Sequence, residues 1–133
     1  MWEDAQVAAR LPAQDLERAR GFYRDRLGLE PVEERPGGLR YVLGDTEFAI
    51  FASGGAASGS FTQLAVYVDD IEATVAALRE RGVEFEPYDL PGLKTVDDIA
   101  VVDGNYPSKG SGERAAWLLD SEGNLIAIGE LVP

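Results

Sequence analysis

Neither histidine nor cysteine occurs anywhere in the 133 residues. That removes Ser-His-Asp and Cys-His nucleophilic arrangements, imidazole- or thiolate-bound zinc, and disulfides. It also removes the one side chain whose unperturbed titration falls near neutrality. Catalysis would fall to Asp, Glu, Lys, Tyr or a bound cofactor. Glu47 and Tyr67 are the candidate bases, and a carboxylate serves only where a cleft raises its pKa towards neutrality. The run "SKGSG" in Val101–Glu113 resembles a phosphate loop superficially, but it lacks the order G-x-x-x-x-G-K-[ST] and no helix follows it. It reads as a flap from which Tyr106 or Lys109 could reach a ligand, or more plainly as a surface loop.

Composition narrows the partners. Twenty-four acidic and 12 basic residues leave a net charge of −12. Such a surface repels phosphate backbones, so no nucleic acid partner is expected. It favours cationic small molecules, although solubility alone also explains it. With 45% apolar residues the chain has material for a real core. No apolar run reaches 18 residues, so no membrane span is expected. The opening "MWEDAQVAARLP" lacks the basic stretch and apolar core of a signal peptide, and with the absence of cysteine this fits a cytoplasmic protein.

The elements that must position these groups come in two similar sets. Gln6 to Ala13 alternates as a strand, with Ala9, Leu11 and Ala13 on one face. Asp15 then caps a helix with stripe Leu16, Ala19, Tyr23, Leu27, which Gly28 ends. Three extended runs follow, "LEPVEER", "LRYVLG" and "TEFAIFA". After the Gly/Ser/Ala linker at 53–61 the pattern restarts. Gln63 to Val68 alternates, Asp70 caps a helix with stripe Ile71, Val75, Leu78, and Gly82 stops it. Strands are expected around "VEFEPY", "DIAVVD", "RAAWLL" and "NLIAIGEL". Superposing Asp15 on Asp70 pairs Glu17 with Glu72 and Arg24 with Arg79. The fold class is α+β: two tandem βαβββ modules, 1–52 and 62–133, forming a curved mixed sheet around a cleft. One helix covers one face of a four-stranded sheet and the other face needs a partner, which explains the duplication.

The segments "DLERARGFYRDRLGL" (Asp15 to Leu29), "VDDIEATVAALRERGVEF" (Val68 to Phe85) and "AWLLDSEGNLIAI" (Ala116 to Ile128) resemble the vicinal oxygen chelate superfamily of glyoxalases, extradiol dioxygenases and bleomycin-resistance proteins. Catalytic members hold a divalent metal on the concave wall. The family spacing places the ligand positions at Ala8, Ala49, Gln63 and Ala127. Three methyl groups and one amide do not hold Mg²⁺, Fe²⁺, Zn²⁺ or Mn²⁺, which need carboxylate, imidazole or several oxygen donors. Neither metal nor cofactor is therefore expected. Glu130 lies three residues past Ala127, so a regular strand turns it to the opposite face.

Alternation then selects the side chains facing the cleft: Arg10 beside Ala8; Glu47, Ala49 and Phe51; Gln63, Ala65 and Tyr67; Leu125, Ala127 and Gly129. The alanines leave room for an organic molecule. Tyr67, Phe51, Tyr41 and Trp117 offer flat walls, and Arg10 and Glu47 supply orienting charges. Each has a structural reading too: packing for the aromatics, an edge hydrogen bond for Gln63, surface charge for Arg10 and Glu47. The expected function is metal-free sequestration of a hydrophobic or cationic small molecule. The alternative is a lyase, isomerase or dioxygenase-like enzyme working without the usual metal or with substituted ligands. The resemblance also implies a homodimer.

Overall fold

The structure, a computed structural model, describes residues 1–104 and 110–133. Helices α1 (Leu16–Leu27) and α2 (Ile71–Glu80) start where the sequence supplies an aspartate. The Asp15 and Asp70 carboxylates each accept the N–H three residues on, from Arg18 and Ala73, at 3.0 Å. These bonds satisfy donors that a helix start leaves free, and Glu17 and Glu72 complement the first turns. Gly28 and Gly82 follow the helices with φ of 69° and 89°. At Gly82 the positive φ strains any side chain, and the Arg26 guanidinium lies in the space beside it.

In the first half, β1 (Ala9–Ala13), β2 (Glu33–Arg35), β3 (Gly38–Leu43) and β4 (Thr46–Ala52) form a sheet in the order β1-β4-β3-β2. In the second, β5 (Thr62–Tyr67) is followed after α2 by a small hairpin, β6 (Asp89–Leu90) and β7 (Leu93–Lys94). Then come β8 (Ala100–Asp103), β9 (Gly112–Leu119) and β10 (Leu125–Val132), in the order β5-β10-β9-β8. The order repeats, with β1 parallel to β4 and β5 parallel to β10. This is the duplicated βαβββ architecture that the sequence implies, without a closed barrel.

Three local departures have simple causes. The first strand begins only at Ala9, and Ala8 before it is exposed. The stretch "LEPVEER" contributes three residues of strand, since Pro31 has no N–H for a ladder. "VEFEPY" supplies one bridge, Phe85 to Leu118, where a strand was expected.

Both helices and the sheet faces beneath them share one core. Leu11, Tyr23 and Ile50 from the first module and Ile71, Val75 and Ile126 from the second are almost fully buried there. Burial of each such side chain contributes roughly 1.5–3 kcal/mol. Tyr41 also joins this core, stacked on Phe48 at 5.0 Å, and is therefore no wall of a cleft. A second, smaller cluster covers the other face of the β5-β10-β9-β8 sheet, where Ala100, Ala115, Trp117, Leu125 and Ala127 meet Tyr88 and Leu93.

The turn between β9 and β10 ties the modules together. Buried Asp120 accepts the Tyr23 hydroxyl at 2.7 Å, the Asn124 amide at 2.8 Å, and the N–H groups of Glu122 and Asn124. Asn124 also donates to the Pro12 carbonyl at 3.0 Å. Glu122 accepts Arg18 Nε at 2.8 Å and the N–H of Asp15 at 3.1 Å. The Arg18 guanidinium outweighs the cost of burial and brings the Glu122 pKa down to about 2. Glu130 caps the other helix by accepting the Ile71 N–H at 2.7 Å, so it does lie on the helix side, away from Ala127.

Candidate functional site

The outer face of the second sheet carries a cleft of about 640 Å³. Strand register assembles it. Trp117 on β9 lies opposite Ala127 on β10, which lies opposite Ala65 on β5; Gly129 pairs with Ala115 on one side and Tyr67 on the other. Between Leu125 and Ile126 the pairing slips from Thr62 to Leu64, leaving Gln63 as an extra residue in β5. Such bulges re-aim side chains. Here both Thr62 and Gln63 border the cleft.

The walls are aromatic. Trp117 is nearly buried and donates its indole N–H to the Thr62 hydroxyl at 3.2 Å. The Tyr88 ring meets it edge to face at 5.2 Å. Tyr67 stands half-exposed at the rim. Its ring lies over Gly129, where a Cβ would come within 3.1 Å of ring carbons and 3.6 Å of Glu113 Oε2. The missing side chain thus leaves room for the Tyr67 ring to lie on β10.

Two polar atoms stand out in this apolar setting. Glu113 is only 9% exposed, and its Oε2 meets no hydrogen-bond partner among the described residues. The buried Oε1 of Gln63 also lacks one. Both residues border the cleft.

Five of the side chains selected from sequence, Gln63, Ala65, Tyr67, Trp117 and Ala127, therefore gather in one cleft. Those of the first module do not join them. Arg10 lies with its guanidinium 5.3 Å from the centre of the Phe51 ring. Ala49 sits in register between Arg10 and Arg40 on the open face of the first sheet. Glu47 is exposed and accepts Arg40 Nη1 at 2.9 Å, while Arg40 also reaches Glu33 at 3.3 Å. Glu47 and Tyr67 do both border a second depression of about 550 Å³, between the β3–β4 turn and the edge of β5. Tyr106 and Lys109 lie outside the described residues.

Glu113, Thr62 and Arg40 escaped the sequence reading. Glu113 sits at the end of a Gly/Ser-rich run, which disguises it as loop. Counting back by twos from Trp117 through Ala115 reaches it, and that was the available signal. Thr62 was hidden by the bulge, which alternation alone does not foresee. Arg40 lies between buried Leu39 and Tyr41, so alternation assigns it to the face of Ala49.

The metal of catalytic relatives does not fit these residues. Ala49, Gln63 and Ala127 offer two methyl groups and one amide, and Ala8 precedes the first strand. Among the described residues no three of His, Cys, Asp and Glu converge on a point where an ion could sit. What the cleft can do is hold an organic group against Trp117 and Tyr67 and accept hydrogen bonds from it.

Two βαβββ units with the same strand order, sharing a core beneath their helices, define a two-module α+β fold of the glyoxalase/bleomycin-resistance type. Residues 5–88 match the Glyoxalase/Bleomycin resistance protein/Dioxygenase superfamily, and the chain belongs to it. A search of curated proteins returned no match. Among solved structures, similar ones include a glyoxalase/bleomycin resistance protein/dioxygenase from Alicyclobacillus acidocaldarius (TM-score 0.69, 15% identity, covering 98% of this chain and 93% of that one). A bleomycin-binding protein complexed with bleomycin gives TM-score 0.66 at 21% identity, over 94% and 97% of the two chains. Lactoylglutathione lyase from Agrobacterium tumefaciens gives 0.59 at 23%, over 96% and 93%. At these identities the likeness is one of fold.

Proposed function

We propose that the protein binds a small organic molecule with apolar and cationic character in the cleft of the second sheet, and that it sequesters this molecule without a metal. The observation that carries the reading is the concave, aromatic-walled space between Trp117, Tyr67 and Ala127, bordered by Gln63 and Glu113. Sites for small ligands share this plan of apolar lining and few polar groups. The acidic surface, at net charge −12, supports attraction of a cation. A solved relative of the same fold binds bleomycin, which makes a basic glycopeptide antibiotic a suitable first ligand. A cytoplasmic homodimer accords with this reading: a second copy would cover the open first-sheet face of Arg10, Ala49 and Phe51.

The test is a fluorescence titration. A Trp2→Phe background leaves Trp117 as the sole indole, and bleomycin should quench it saturably, more weakly in 1 M salt than in 0.05 M salt. An unchanged emission with bleomycin and with a panel of apolar amines would overturn the proposal. Metal analysis of the purified protein checks the other half, since one tightly held divalent ion per chain would contradict the donor set described above.

A further inference from the structure

We propose that Glu113 forms a receptor for a protonated primary amine, so that the ligand of the cleft carries a –NH₃⁺ group next to an apolar body. This rests on the small-molecule reading of the same cleft and specifies the head group. Glu113 is nine-tenths buried, yet its Oε2 accepts nothing among the described residues. A carboxylate oxygen withdrawn from water without a partner costs the fold free energy. Among the described residues Glu113 forms no ion pair, and Arg114, its neighbour in sequence, turns to the opposite face and pairs with Glu72 at 2.7 Å. The amide oxygen of Gln63 is another unused acceptor among the described residues, but the rows of Trp117, Ala127 and Ala65 and of Ala115, Gly129 and Tyr67 lie between it and Glu113, at the far end of the cleft.

The chemistry of these atoms selects the head group. The unpaired Oε2 is an acceptor, so it calls for a donor, and an ammonium offers three N–H bonds and a positive charge. A quaternary ammonium has the charge but no proton to share. A neutral hydroxyl has a donor but no charge. Gly129 makes room: a methyl there would stand 3.6 Å from Glu113 Oε2 and crowd Tyr67. Trp117 and Tyr67 then flank the apolar body of the ligand.

The experiment compares three probes of one shape, 2-phenylethylammonium, trimethyl(2-phenylethyl)ammonium and 2-phenylethanol, titrated against Trp117 emission in the Trp2→Phe background. The primary amine should bind at least tenfold more tightly than either of the others. Glu113→Gln should abolish that preference while raising the melting temperature of the free protein, because an uncompensated charge is gone. Circular dichroism confirms that the variant folds, and Gln63→Leu, at the far end of the cleft, should leave the preference intact. Equal binding of all three probes would overturn the ammonium receptor and leave the small-molecule cleft standing. Equal binding of the two cations alone would assign recognition to the aromatic rings and also overturn it. Binding by none of the three would count against both readings.

Discussion

Gly129 is the residue on which the geometry of the cleft turns. Its absent side chain lets the Tyr67 ring and Glu113 Oε2 approach β10 from the same side. Gly129→Ala should cost about 1–2 kcal/mol in urea unfolding, since a methyl 3.1 Å from ring carbons forces Tyr67 aside. The same variant should weaken binding of an apolar amine by tenfold or more. At this scale the sequence spoke unevenly. Alternation was enough to put Gln63, Tyr67, Trp117 and Ala127 on one side of the second sheet. It did not reveal that Arg10, Ala49 and Phe51 face a different space, because strand patterning assigns a side and says nothing of how two sheets meet.

At the scale of elements, both helices were legible to the residue at their starts. The reason is local: an aspartate cap and the first-turn acids act within four positions of the chain. Asp70→Ala should therefore destabilise by about 1 kcal/mol in chemical denaturation. Tyr23→Phe should cost more, roughly 1–3 kcal/mol, because it deprives buried Asp120 of a donor at 2.7 Å. The shortening of β2 was readable from Pro31, which has no N–H for a ladder, whereas the β6–β7 hairpin, with two residues in each strand, is too short for a periodic pattern to mark. The two-module repeat was readable because the caps recur at matching positions.

The whole molecule carries its charge as a pH dependence. Glu122 titrates near 2 in the folded protein and near 4.5 when unfolded, because the Arg18 guanidinium favours its ionised form. The unfolded chain thus binds a proton first as acid is added. The stabilisation is complete above about pH 5 and disappears as pH falls from 4.5 towards 2. After discounting for the exposed guanidinium it amounts to about 1–2 kcal/mol. Thermal melts of Glu122→Gln should accordingly show a flatter acid limb than the parent. In base the order reverses: burial and the Asp120 carboxylate push Tyr23 well above 10, and burial takes Tyr41 up to about 12. The unfolded chain loses those protons first, so stability should decline from pH 10 upward in the same melts.

The turn at Asp120–Asn124 also governs the timing of folding. It closes the N-terminal end of α1 through the Glu122 contact with Asp15, across 107 positions of the chain. A ribosome extruding this protein would release α1 long before its lid arrives, so the first module should wait, incompletely packed, for the β9–β10 hairpin to be synthesised. The two halves should then mature in a single cooperative event, although each repeats the same strand order. A fragment ending at residue 61 should show little fixed aromatic circular dichroism and rapid amide exchange, while the full chain melts in one transition.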